Sequence, residues 1–187
     1  MATRRKERPL NGLDLTALSG MVEAIGQDKK NAKASFRVTT HWTGQARSET
    51  FAETIALGDE QIRCAHRISA DEPEQLLGTG SAPNPQQLLL AAFNACLIVG
   101  YVAGASLRGI ELECVEIETR GELDLRGFLA MRDDVPPGHR ALDYAVRIKG
   151  DGTAEQFAEI HRSVMATSPN YFSICRPLRV KGTLSVG

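Results

Sequence analysis

The segment from Asn84 to Leu107, NPQQLLLAAFNACLIVGYVAGASL, runs 24 residues without a charged side chain. No other stretch restricts the fold as strongly. Asn84 is a good helix N-cap, and Pro85 suits the first helical position, where its missing N–H would have no partner anyway. Gly109 is the first strong stop signal downstream, so a helix is predicted from Pro85 to about Leu107. Leu88, Ala92, Cys96, Val99 and Ala103 recur at spacings of four, four, three and four, which puts Cys96 on an apolar stripe. The remaining positions are mostly apolar too, so this helix is expected to be surrounded on several sides. Asn94 and Gly100 interrupt the run. A polar and a small residue at helical spacing suit packing in protein better than packing in lipid, so no membrane span is expected.

The sequence on either side supplies strands to do the surrounding. KASFRVTTHW alternates Phe36, Val38, Thr40 and Trp42 on one face. Gly44 turns the chain, RSETFAETIAL places Phe51 and Ile55 on one side, and QIRCAHRIS follows a Gly-Asp-Glu turn. These three segments predict an antiparallel meander. A loop rich in Gly and Pro then leads to the helix. Beyond it, IELECVEIETRGELDL holds Leu112 and Cys114 on one phase and Val115 and Ile117 on the other, which predicts a β-bulge. A turn at Pro136-Pro137-Gly138 connects this strand to ALDYAVRIKG, and TAEQFAEIHRSVMAT reads as a helix. Ser168-Pro169 opens a short helical segment, and RPLRVKGTLSV is expected to close the chain as a strand. The order of three strands, helix, two strands, helix and strand predicts an α+β fold, a curved antiparallel sheet packed on long helices. Residues 1–30 read as an N-terminal arm. Its first eleven or so residues are expected to be disordered, and Leu13, Leu15, Leu18, Met21, Val22 and Ile25 follow on a short amphipathic helix. Residues 31–187 form the expected domain.

Composition removes several function classes. With 22 Lys and Arg against 23 Asp and Glu there is no basic excess to hold nucleic acid. The charged N-terminus MATRRKERPL has no apolar run behind it, so no secretory signal is read and a soluble cytoplasmic protein is expected. The four histidines (His41, His66, His139, His161) lack ligand spacing, so neither a metal nor another cofactor is expected. Neither a phosphate loop nor a nucleophile elbow is present. Four cysteines remain: Cys64, Cys96, Cys114 and Cys175, far apart and without a CxxC pair. Cys64 and Cys114 sit on strand patterns and read as small core hydrophobes.

PNPQQLLLAAFNACL, preceded by DEPEQLLGTGSA, resembles the active-site helix of the OsmC/Ohr family (osmotically inducible protein C and organic hydroperoxide resistance proteins). Cys96 lies twelve residues after Asn84, as the family's peroxide-reducing cysteine lies after the Asn of its Asn-Pro pair. The resemblance extends from about Phe36 to the C-terminus with the same order of elements. It implies an intertwined homodimer in which Cys96 is the nucleophile and Arg47, in the first turn, stabilises the thiolate and the departing alkoxide. Where the family often places a glutamate after the helix-opening proline, this chain has Gln86, which can hydrogen-bond but carries no charge. Glu72 or Glu74 in the preceding loop is a possible substitute.

The second departure is downstream. The family's resolving cysteine precedes a proline twelve residues before a Val of the last strand, and counting back from Val180 gives Ser168-Pro169. Cys175, seven residues later, is a possible second redox thiol, but about two helical turns separate it from that place. The resemblance therefore implies thiol-dependent reduction of a small organic hydroperoxide by Cys96, Arg47 and Gln86, with an external thiol as reductant. Leu88, Leu89, Phe93 and Phe172 would line an apolar pocket. A non-catalytic dimer binding a small apolar ligand at the subunit interface is the alternative, favoured by Gln86 and Ser168. A hot-dog thioesterase would need a carboxylate facing the helix, and none stands at a suitable position.

Overall fold

The computed structural model describes residues 9–187. Most of the arm expected to be disordered lies outside the described residues. The chain divides into two compact units, Met1–Ala91 and Ala92–Gly187, with the boundary inside the long helix.

The first unit opens with helix α1, Leu15–Gln27. The Asp14 carboxylate caps it by accepting from the N–H groups of Thr16 and Ala17. Strands β1 (Ala34–Gly44), β2 (Arg47–Leu57) and β3 (Glu60–Ala70) then form the expected meander, in the order β1-β2-β3. The first hairpin pairs Phe36 with Ile55, and the second pairs Ile55 with Ile62. Both ladders carry an irregularity, between Arg37 and Thr39 and between Ala52 and Thr54. The sheet has no core of its own. Among the described residues of this unit Asp71 alone is buried, while Phe36, Val38 and Trp42 are 74%, 61% and 77% exposed.

The second unit contains the core. Helix α2 spans Pro85–Ser106, and the stripe Phe93, Leu97, Tyr101 and Ala105 is buried. It packs with Ile110 and with Ile160 and Val164 of helix α4 (Ala154–Thr167). Gly100 and Gly104 of α2 admit α4 closely. A Cβ at Gly100 would lie 3.0 Å from Val164 Cγ2, and one at Gly104 3.0 Å from Ile160 Cγ2. On the other side stands the antiparallel pair β4 (Leu112–Gly121) and β5 (Leu142–Gly150), whose half-buried Leu112, Val115, Ile117, Tyr144, Val146 and Ile148 lie against the core. The predicted bulge is present as a register shift between Leu112 and Cys114. The loop between β4 and β5 contains one turn of helix, α3 (Leu125–Phe128), and α5 (Pro169–Cys175) follows α4.

The structure corrects two expectations. Within the chain the helix is fully buried along one stripe, with its flanks half-buried and other positions exposed. That stripe is offset from the Leu88–Ala103 stripe read from the sequence, and Val99 on the latter is 69% exposed. A helix apolar on every side has no periodicity by which to rank its faces. The closing strand is also absent, since residues 176–187 carry no regular structure. Alternation alone does not make a strand. The ladder needs a neighbour to exchange N–H···O=C bonds with, and among the described residues the tail has none.

Candidate active site

The loop before α2 is built around one carboxylate. Asp71, 1% exposed, accepts through Oδ2 from the Thr79 N–H and hydroxyl (3.1 and 2.6 Å) and the Ser81 N–H and hydroxyl (3.0 and 2.8 Å). Its Oδ1 accepts from the Glu72 N–H at 2.9 Å. The Thr79 hydroxyl, then the Ser81 and Glu72 donors, hold the carboxyl far below the usual range against the opposing effect of burial. Gly78 lets the loop close, because a Cβ there would sit 1.7 Å from the Glu72 carbonyl oxygen. The chain thus enters α2 in a fixed direction. Asn84 and Gln87 then form a reciprocal capping box, each side chain accepting from the other's N–H (2.9 and 3.0 Å). Asn84 also donates to Glu72 at 3.4 Å. Glu72, weighed from sequence as a stand-in for the missing glutamate, is therefore tied to the helix cap. Gln86 is half-buried in the first turn.

Arg47 is the first residue of β2, directly after the Gln45-Ala46 turn. Its side chain is exposed and lines a cleft of about 300 Å³ with Ser48, Glu49, Ser69 and Ser81.

Further along α2, in the second unit, Cys96 is a half-buried free thiol. Its sulfur lies 3.2 Å from the Ser168 hydroxyl, 72 residues away in sequence. Two anchors bring these groups together. Asn170 of α5 donates to the carbonyl of Ala92, one turn before Cys96, at 2.8 Å. Asn94 donates to the Ile117 carbonyl at 3.2 Å and accepts from the Thr119 hydroxyl at 2.5 Å, which fixes α2 against β4. Ser168 caps two helices. Its N–H closes α4 on the Val164 carbonyl (2.9 Å), and its hydroxyl opens α5 by accepting from the Tyr171 N–H (3.3 Å).

The remaining site residues are scattered. Phe93 is a core residue, 3% exposed, edge-on to Tyr144 at 5.6 Å and stacked on Tyr171 at 6.3 Å. Leu88 is half-buried, while Leu89 and Phe172 are 43% and 61% exposed. Cys175, at the far end of α5, is exposed. Sequence reasoning missed the pair formed by Tyr101 and His161, in which the buried phenol contacts the imidazole Nδ1. Tyr101 is pushed up to about 12, first by burial and then by Tyr144. The phenol therefore stays protonated and shares a hydrogen bond with the His161 imidazole. The only sequence signal for this pair was two polar tips on faces otherwise reading as core.

The OsmC-like protein family matches residues 78–181, more than half of the chain. No curated protein matches the sequence. Among solved structures, the chain is similar to an OsmC-like protein from Mycoplasma pneumoniae at 15% identity and a TM-score of 0.60, over 75% of this chain and 87% of that one. It is also similar to an OsmC-like protein of unknown function from Vibrio cholerae at 13% identity and a TM-score of 0.52, over 74% of this chain and 92% of the other. Identities this low speak for the fold alone. The matched segment includes the capping box, Cys96, Ser168 and Cys175, and by that match the chain belongs to the OsmC-like family.

Proposed function

We propose that this protein is a cytoplasmic, thiol-dependent reductase of organic hydroperoxides, working as a homodimer through Cys96. The observation that carries this reading is the 3.2 Å contact between the Cys96 sulfur and the residue at position 168, where the family resemblance implies a second thiol. In the first step the Cys96 thiolate attacks the terminal oxygen of the hydroperoxide. An S–O bond forms, the O–O bond breaks, the sulfur becomes a sulfenic acid, and the alkoxide leaves as an alcohol on taking a proton. The partner subunit's Arg47 is the proposed stabiliser of both anions, and Gln86 the residue that orients it or the peroxide. An exposed guanidinium facing a polar cleft is available for that role.

Ser168 cannot supply a second sulfur. Cys175 lies seven residues further along α5, about 10 Å on a helix axis, and a disulfide needs Cα atoms within about 7 Å. An external thiol is then the proposed reductant of the sulfenic acid, with a swing of Cys175 towards Cys96 as the other route. One thiol forms a mixed disulfide and releases water, and a second restores Cys96 and leaves as an oxidised disulfide. The exposed Leu89 and Phe172 suit an organic peroxide better than hydrogen peroxide.

A second copy of the chain is the proposed cover for the apolar surface that one copy leaves open. The sheet β1-β2-β3 buries no apolar side chain, and covering Phe36 and Val38 would contribute roughly 1.5–3 kcal/mol each. Leu178, Val180, Leu184 and Val186 of the tail alternate with polar residues and are 58–88% exposed, the pattern of a strand awaiting a partner.

Ser168 also favours a second reading, a non-catalytic dimer that binds a small apolar ligand. Consumption of cumene hydroperoxide with monothiol and dithiol donors separates the two, comparing the wild type with Cys96→Ser and Cys175→Ser. Loss of turnover in Cys96→Ser alone is expected. Loss in both would bring Cys175 into the cycle, and an inactive wild type would leave the binder.

A further inference from the structure

We infer that Ser168 is the hydrogen-bond donor to the Cys96 sulfur, so that the position that would carry a second thiol instead holds the first one ready to react. A serine hydroxyl has one proton and two lone pairs. The Ser168 oxygen already accepts from the Tyr171 N–H at 3.3 Å, and its proton has one acceptor within reach among the described residues, the sulfur at 3.2 Å. Ser168 is 6% exposed, so bulk water does not compete for that proton. Its backbone is held from both sides, by its N–H on the Val164 carbonyl (2.9 Å) and by its carbonyl on the Phe172 N–H (3.0 Å). The hydroxyl is thus presented by a rigid junction of two helices. Among the described residues, no charged side chain of α4, α5, β4 or β5 makes a hydrogen bond or ion pair with the sulfur.

Its use in the cycle rests on the peroxidase reading, but the hydrogen bond does not. A donor that favours the thiolate before attack remains beside the sulfur after it, within reach of the new sulfenate. The site then holds a donor and no competing nucleophile, and the incoming small thiol meets an S–OH group with its leaving water hydrogen-bonded.

The test follows alkylation of Cys96 by iodoacetamide at neutral pH, read on the Cys96 peptide by mass spectrometry so that the other three cysteines do not contribute. Ser168→Ala, which removes the donor, is expected to slow that alkylation about ten- to a hundredfold. Ser168→Thr, which keeps the hydroxyl and the cap, is expected to stay close to wild type. Ser168→Gly, which an N-cap accepts nearly as well as serine, supplies a second hydroxyl-free chain should the alanine variant fail to fold. Coincident rates for wild type and either hydroxyl-free variant would overturn the inference, as would a threonine variant that behaves like alanine. Should the slowing appear while the wild type consumes no hydroperoxide, the hydrogen bond stands and the peroxidase reading falls.

Discussion

Ser168→Cys should turn the contact at position 168 into a covalent one. The wild-type oxygen and sulfur are 3.2 Å apart, and a disulfide needs about 2.05 Å, so side-chain rotation has to close about 1.1 Å. A longer C–S bond covers part of that difference. The crosslink would join residues 72 apart. The loop-closure relation then removes about 15 cal/mol/K from the unfolded chain, or about 4.4 kcal/mol at 25 °C. Distortion of the α4–α5 junction subtracts from this figure, so a gain of roughly 2–4 kcal/mol is expected. For a chain of this size that corresponds to a rise in melting temperature of about 4–16 °C. The assay is diamide oxidation followed by a thiol count and paired melts of oxidised and reduced protein. The wild type has four cysteines and the variant five, and diamide, taking up two electrons and two protons per bond formed, should leave three free. If all five remained free, or if oxidised and reduced variants melted together, positions 96 and 168 would not be neighbours in solution, and both the site and the inference built on it would fall.

Other outcomes follow from the same geometry. Ile160 is fully buried against Gly104, so Ile160→Ala should destabilise by about 2–5 kcal/mol in urea unfolding. Gly104→Val should destabilise by about 1–3 kcal/mol through overpacking and less when combined with Ile160→Ala, and additive effects would contradict the close approach. Asp71 has a carboxyl depressed in the folded chain, so its contribution is fully present above the unfolded carboxylate value near 3.9 and is lost as pH falls below it. Amide-exchange protection across residues 72–84, corrected for the intrinsic exchange rate, should fall as pH drops below about 4 in the wild type, and should be low already at neutral pH in Asp71→Ala. Tyr101 and His161 Nδ1 share a hydrogen bond; with the phenol as its donor, nitrogen NMR should find neutral His161 carrying its proton on Nε2, and Tyr101→Phe should release that preference. If the proposed dimer is joined through the tail, Val180→Asp with Leu184→Asp should lower the mass in light scattering from that of two copies to that of one. An unchanged mass would show that the tail does not join the copies.

The parts of the fold legible in the sequence are those fixed by local chemistry. Asn84 and Pro85 announce the start of α2, and Gly109, at φ +73°, its end. The phase change between Leu112 and Val115 marks a bulge that the ladder confirms. Asn94 and Gly100, the two interruptions in the apolar run, each meet a partner in the second unit, Thr119 with the Ile117 carbonyl for the first and Val164 for the second. Hidden from the sequence were choices decided between elements. The core stripe of α2 could not be separated from its other apolar faces until α4 and the β4–β5 pair selected Phe93, Leu97, Tyr101 and Ala105.

The same distinction explains what became of the two thiol positions. Spacing alone gives no reason why residues 72 apart should touch. The resemblance singled out 96 and 168, and the contact between them is made by Asn170 on the Ala92 carbonyl and by the serine that ends one helix and begins the next. These anchors do not depend on sulfur. The serine at 168 accepts from the Tyr171 N–H while its hydroxyl meets the Cys96 sulfur, so this geometry does not need a sulfur at 168. On the proposed reading, a site with serine at 168 obtains its electrons from an external thiol; on the alternative it binds without turnover. The fate of the hydroperoxide decides between those two.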